Sequence, residues 1–122
     1  MDIAEQLAAD DLIVMSKINR AGSYTELDSL RKAKNILINL KDDMEGITKR
    51  YQFTYLLTYS RLYQKSKKYN KGIEYGESAY KIGNELGDYS DLKQVLELLH
   101  ELYEKTGQYK KAYKSIKKAI HF

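Results

Sequence analysis

Four tyrosines, Tyr51, Tyr55, Tyr59 and Tyr63, recur at every fourth residue. On a helix this spacing lines up one aromatic face. Such a ladder suits a stacking platform for bases, but more often it is a core stripe whose hydroxyls reach the surface. His100 has the chemistry of a general base, yet its helical neighbours Leu96, Leu99 and Tyr103 turn it toward packing, and no nucleophile is patterned around it. Asp10 and Asp11, and Asp42, Asp43 and Glu45, are acidic groups that suit a hard cation, but they lack the alternating spacing of a calcium loop. Lys110, Lys111, Lys114, Lys117 and Lys118 could meet phosphates; no Arg follows Arg61, so bidentate base readout has no donor there. No phosphate-cradling glycine loop, nucleophile elbow or paired-histidine zinc motif is present. No catalytic residue, metal site or cofactor is therefore expected.

Composition narrows the field further. The chain has 122 residues, the size of one domain. It has no Cys, which excludes disulfides and thiolate sites, and two His, which argues against a multi-histidine metal site. Proline is absent too. With 43% hydrophobic and 31% charged residues, a globular core is within reach. Charge is uneven: residues 1–48 hold six basic and nine acidic residues, and residues 49–122 hold 15 and eight. No stretch has a signal-peptide pattern or the ~20 apolar residues of a bilayer span, so a cytoplasmic location is expected.

Apolar residues step by three and four almost throughout, which predicts amphipathic helices. The punctuation marks their ends. Ser23 and Glu26 have capping-box spacing. Gly46, Gly87 and Gly107 suit left-handed residues after helix ends, and Asp88 or Ser90 can cap the next start. Six helices are predicted, over 2–19, 25–43, 48–66, 69–86, 90–105 and 109–121. Short loops between them predict antiparallel hairpins.

One spacing recurs. Leu56, Tyr59, Ser60, Tyr63, Tyr69, Gly72, Gly76 and Ala79 return forty residues on as Leu96, Leu99, His100, Tyr103, Tyr109, Ala112, Ile116 and Ala119. A fixed period of this size marks stacked helical units. Gly72 and Gly76 each cost a helix about 1 kcal/mol against Ala. Close packing on Tyr59, Tyr63 or Leu99 is the expected compensation. This order, with Gly107 and Tyr109 at the link between helices, resembles the tetratricopeptide repeat over residues 53–122. It departs in its longer spacing, with extra residues around Leu86–Asp91, in its missing proline, and in having His100 where a small residue is usual. A longer second helix or a wider loop is expected from the first departure.

In the first third, Leu30, Ala33, Leu37 and Leu40 repeat the spacing of Tyr109, Ala112, Ile116 and Ala119. Aligning Gly22, Ser23 and Tyr24 with Gly107, Gln108 and Tyr109 puts Val14 and Ile18 at packing positions but leaves Asp11 at another. The whole is read as an all-α, right-handed α-solenoid of three helix hairpins in one domain. Residues 1–46 form a degenerate first repeat, 48–87 the second and 88–122 the third.

The resemblance implies a non-catalytic module that binds a protein or peptide in a groove lined by the first helix of each repeat. Facing away from the packing stripe are Thr54, Leu57, Thr58, Arg61, Gln64 and Lys65 on one helix. On the next are Gln94, Glu97, Leu98, Glu101, Glu104 and Lys105. Thr54, Thr58, Arg61, Lys65, Gln94, Glu97 and Glu101 are the chosen groove residues, basic on one wall and acidic on the other. Glu97 and Glu101 do not match the cationic carboxylate clamp of the family's chaperone-binding members. Two other readings stand beside this one: a sensory piece of a larger bacterial regulator, and a basic nucleic-acid binder. Tyr113, Ile120 and Phe122 widen the apolar face of the last helix. A weak two-fold dimer through residues 109–122 is therefore expected, favoured by salt that screens its lysines.

Overall fold

The computed structural model describes residues 2–121, and among these every regular element is helical. The helices are α1 (Ile3–Glu26), α2 (Leu30–Asn39), α3 (Lys49–Lys65), α4 (Tyr69–Leu86), α5 (Tyr89–Lys105) and α6 (Tyr109–Ile120), with a short 3-10 turn at Asp42–Met44. Each packs on the next in chain order, and α3 also meets α1 and α5. The first helices of the three hairpins thus lie side by side.

All three hairpins close with the same turn. A tyrosine carbonyl near the end of the first helix accepts from an amide five residues on: Ser29 to Tyr24 at 2.8 Å, Lys68 to Tyr63 at 2.9 Å and Gln108 to Tyr103 at 2.8 Å. The residue before each donor is left-handed, with φ of 60° at Asp28, 62° at Lys67 and 76° at Gly107. This is a Schellman stop, which satisfies the last carbonyls of a helix. It sets the true repeat positions: Tyr24, Tyr63 and Tyr103 are equivalent, and so are Ala33, Gly72 and Ala112.

This turn corrects the expected start of the second helix. Ser23 and Glu26 do not cap α2; they sit in the last turn and a half of α1, and Gly22 is helical within it. The turn lies at Leu27–Ser29 instead. The alignment of Gly22 with Gly107 therefore fails, while the alignment of Leu30 with Tyr109 agrees with the turn. Val14 and Ile18 are buried as expected, joined by Ala21 and Thr25. The second helix is also shorter than expected and ends at Asn39, with the 3-10 turn carrying the chain to a left-handed Gly46. The longer repeat spacing resolves into a longer second helix. The 18 residues of α4 end at left-handed Gly87, and the Asp88 carboxylate caps α5 by accepting from the Ser90 and Asp91 amides.

Two clusters make the core. One joins α1, α2 and α3 around Ile18, Leu37, Leu40, Tyr55, Tyr59 and Tyr63. The other joins α3 to α6 around Phe53, Leu57, Val95, Leu99, Leu102 and Ala112. In the second, glycines let helices approach. A Cβ on Gly76 would stand 2.8 Å from Leu99 Cδ2, one on Gly72 would stand 3.2 Å from Leu102 Cδ2, and one on Gly83 would stand 2.9 Å from Phe53 Cε2. Leu99 is an expected neighbour; nearest to Gly72 are Leu102 and the Ser60 carbonyl.

Candidate partner-binding face

The tyrosine ladder packs within the core. Tyr55 and Tyr59 meet edge to face at 5.1 Å, and Tyr75 from α4 stacks on Tyr59 at 4.5 Å and on Tyr63 at 5.5 Å. The Tyr55 hydroxyl donates to the Leu37 carbonyl at 3.0 Å, fixing α3 to α2. Burial, and then the neighbouring phenols, push the Tyr55 hydroxyl well above the usual tyrosine range; burial does the same to Tyr59 and Tyr75. These phenols therefore stay neutral and are filling rather than a base platform.

His100 is likewise explained by its repeat position. The equivalent residue Ser60 donates its hydroxyl to the Gly72 carbonyl at 2.7 Å. His100 Nδ1 lies 2.9 Å from the equivalent carbonyl, that of Ala112. A carbonyl only accepts, so Nδ1 carries the proton here. Nε2 stands 3.3 Å from Glu104 Oε1. The histidine does the serine's work of tying the two helices of a hairpin.

The chosen groove residues divide. Thr54 is half-buried and its hydroxyl donates to the Arg50 carbonyl at 3.2 Å. Thr58 is buried, against the expectation that it faces away from the packing, and donates to the Thr54 carbonyl at 2.7 Å. Leu57 and Leu98 are buried too. The cause is the central place of α3: it meets four other helices, so less of its girth is free than a single hairpin pattern suggests. Lys65, Gln94, Glu97 and Glu101 are exposed, and Arg61 is half-buried.

The two walls are tied to each other. Arg61 donates to Gln94 Oε1 at 3.3 Å, and Gln64 donates to Glu101 Oε2 at 2.7 Å. Farther along, the Arg50 guanidinium bridges Asp91 of α5 and Asp88, the cap of that helix, and Asp91 above all raises the Arg50 pKa. Lys49 pairs with Glu85 at 2.8 Å and holds that carboxyl below the usual range. Lys65 reaches Asp28 at 3.9 Å. Exposed pairs of this kind add little stability. The Arg61, Gln64 and Arg50 contacts arrange donors and acceptors along the α3–α5 seam, while Lys49 ties α3 to α4 and Lys65 ties α3 to the α1–α2 turn.

A cleft of about 370 Å³ continues this seam between α1 and α3, lined by Asn19, Gly22, Ser23, Thr25, Glu26, Thr58 and Arg61. Its α1 side was missed by the sequence reading, because the wrong turn placed Gly22 to Glu26 outside the first helix. The tyrosine spacing of Tyr24, Tyr63 and Tyr103 was the signal that could have found it. Among the described residues, no group of three or more His, Asp or Glu is placed to hold a metal, and no helix is long and apolar enough to cross a membrane.

Comparison with protein-family models, with curated proteins and with solved structures finds no match for this chain.

Proposed function

We propose that the chain is a recognition module that binds a segment of another protein along the face made by α1, α3 and α5. The observation that carries this is the repeated hairpin turn, which sets three first helices side by side with polar groups on their shared face. In this reading the chain is a short solenoid of tetratricopeptide type, and an extended or helical peptide lies across the seam.

Arg61 is the central contact. It stands at the junction of the α1–α3 cleft and the α3–α5 seam, facing Glu26 and Ser23 on one side and Gln94 on the other. A peptide carboxylate or carbonyl that replaces Gln94 on the Arg61 guanidinium gains a charge-assisted hydrogen bond. Glu97 and Glu101 then favour a basic residue farther along the peptide. The expected ligand is a segment with an acidic or carbonyl-rich half and a basic half.

A displayed library of random peptides tests this. Selected peptides should shift the amide signals of Asn19, Arg61, Gln94 and Glu101. Their affinity should fall at least about tenfold with Arg61→Glu, the loss of a central charged contact, and hold with Lys81→Glu on α4. Shifts confined to α2, α4 or α6 would overturn the reading.

A further inference from the structure

Among the described residues, exposed apolar side chains group on two helices, one at each end of the helix order. On α6, Tyr109, Tyr113 and Ile120 are exposed, Tyr113 to 63%, and with half-buried Ile116 they form one stripe along the helix. The equivalent α4 residues are Tyr69, Ile73, Gly76 and Tyr80. There Ile73 is buried in the cluster with Leu98, Leu99 and Leu102 of α5. The α6 stripe thus has the form of a surface that receives a helix. Lys110, Lys114 and Lys117 flank it, and residues 105–121 hold six lysines and no acidic side chain.

The other surface is the first three turns of α1. Seven of the eleven residues from Ile3 to Ile13 are apolar, and none of the eleven is buried. Ile3 is 81% exposed, and Leu7, Leu12 and Ile13 are each more than half exposed. Residues 2–16 hold Asp2, Glu5, Asp10 and Asp11 and no basic side chain. At the base of this arm a cleft of about 550 Å³ sets Asp10 and Asp11 opposite Asp42, Asp43 and Glu45, over Leu7, Val14 and Ile47. The rest of α1 is closed to a stacking helix. Where α5 presents Val95, Leu98, Leu99 and Leu102 to α4, the equivalent α1 residues are Ser16, Asn19, Arg20 and Ser23, all exposed.

We propose that the acidic α1 arm of one molecule packs along the basic α6 stripe of a second molecule of this chain. Each surface has what the other lacks. The arm is apolar with acidic flanks, and α6 is apolar with lysine flanks. Eleven residues of arm and twelve of α6 give helices of similar length, about 16–18 Å at 1.5 Å per residue. Pairing α6 with its own copy would set lysines against lysines, and pairing two arms would set carboxylates against carboxylates. The arm–α6 contact is heterologous, so two molecules close it by exchanging arms reciprocally, and an unclosed exchange propagates.

Sedimentation velocity over a concentration series, at low and at high salt, tests the pairing. The Debye length falls from about 30 Å at 0.01 M to about 3 Å at 1 M. Association should therefore be about tenfold weaker at the higher salt, through several screened ion pairs. Charge reversal on one side, Asp10→Lys with Asp11→Lys, or Lys110→Glu with Lys114→Glu and Lys117→Glu, should leave each variant monomeric. Mixing the two variants should restore association, because a lysine arm then meets a glutamate stripe. Helical circular dichroism of each variant checks that it is folded. A monomer at every concentration and salt overturns the proposal. So does association that strengthens with salt, which would mark α6 pairing with itself. Restoration failing on mixing also overturns it. So does binding of anionic phosphatidylserine vesicles that needs the α6 lysines, with no self-association, which would make the stripe a membrane-surface helix.

Discussion

The two core clusters solve one packing problem with opposite materials. Around α1, α2 and α3 an aromatic ladder runs through the filling: Tyr55, Tyr59 and Tyr63 of α3 and Tyr75 of α4 pack on one another, and the Tyr55 hydroxyl donates to the Leu37 carbonyl. Around α3, α4 and α5 the filling is mainly aliphatic, with Phe53 and Tyr103 among the leucines, and Leu99, Leu102 and Phe53 sit over glycines. The same hairpin position is Leu37 in α2, clustered with Tyr55 and Tyr59, and Gly76 in α4, packed under Leu99. Equal turns therefore do not require equal interiors. The hairpin geometry is set by the turn and the small residues Ala33, Gly72 and Ala112, while the bulk beside them is free to trade sides.

The comparison can be broken most forcefully at Phe53, which is 2% exposed and lies against Gly83. Phe53→Ala should cost about 3–5 kcal/mol in urea unfolding. A cost under about 1 kcal/mol would mean the second cluster is loosely filled. Next comes the glycine contact. Gly76→Leu should cost about 1–3 kcal/mol by overpacking against Leu99, whereas Lys114→Leu on the exposed side of α6 should stay within about 0.5 kcal/mol. Equal midpoints for Gly76→Leu and the parent chain would refute the close approach.

The aromatic cluster has its own signature in alkali. Tyr55, Tyr59 and Tyr75 hold their protons above the ordinary tyrosine value chiefly because they are buried. Their contribution is complete below the unfolded value of about 10. Above it the unfolded chain ionises first, so stability falls as pH rises. Tyr55→Phe should cost about 0.5–1.5 kcal/mol at neutral pH, through the lost bond to Leu37, and should flatten the alkaline decline. A decline unchanged in Tyr55→Phe would place its cause elsewhere. The smallest effect sharpens the shared turn. Lys67 holds a left-handed φ of 62°, which costs a side chain with a Cβ about 1–2 kcal/mol. Lys67→Gly should raise stability by up to about 1 kcal/mol, since glycine accepts that φ at some entropic cost; a lower melting temperature would count against the turn.

How much of this was legible in the sequence follows from where glycine marks a turn. Gly107 and Gly87 announce their helix ends, and α4, α5 and α6 begin and stop within a residue or so of expectation. The first two hairpin turns use Asp28 and Lys67, residue types that rarely signal a left-handed stop. At Lys67 the apolar spacing alone gave the break. At Asp28 a nearby Ser23, Glu26 and Gly22 formed a false start signal, and the α1 side of the cleft was lost with it. Close approach of α4 to α5 was readable at Gly72 and Gly76, because two helix-interior glycines need a reason. Gly83 gave no separate warning, because it lies near the helix end. Burial of Thr58 was not readable, since it depends on α1 and α5 flanking α3 on both sides at once.

Amide hydrogen exchange followed by nuclear magnetic resonance tests most directly that three equivalent hairpins build the molecule. The amides of Ser29, Lys68 and Gln108 donate to Tyr24, Tyr63 and Tyr103, and all three should be protected together, with helical protection running unbroken from Val14 to Thr25. Rapid exchange from Ala21 to Thr25, with an unprotected Ser29, would put a loop where α1 is continuous, and the first hairpin would not be equivalent to the other two.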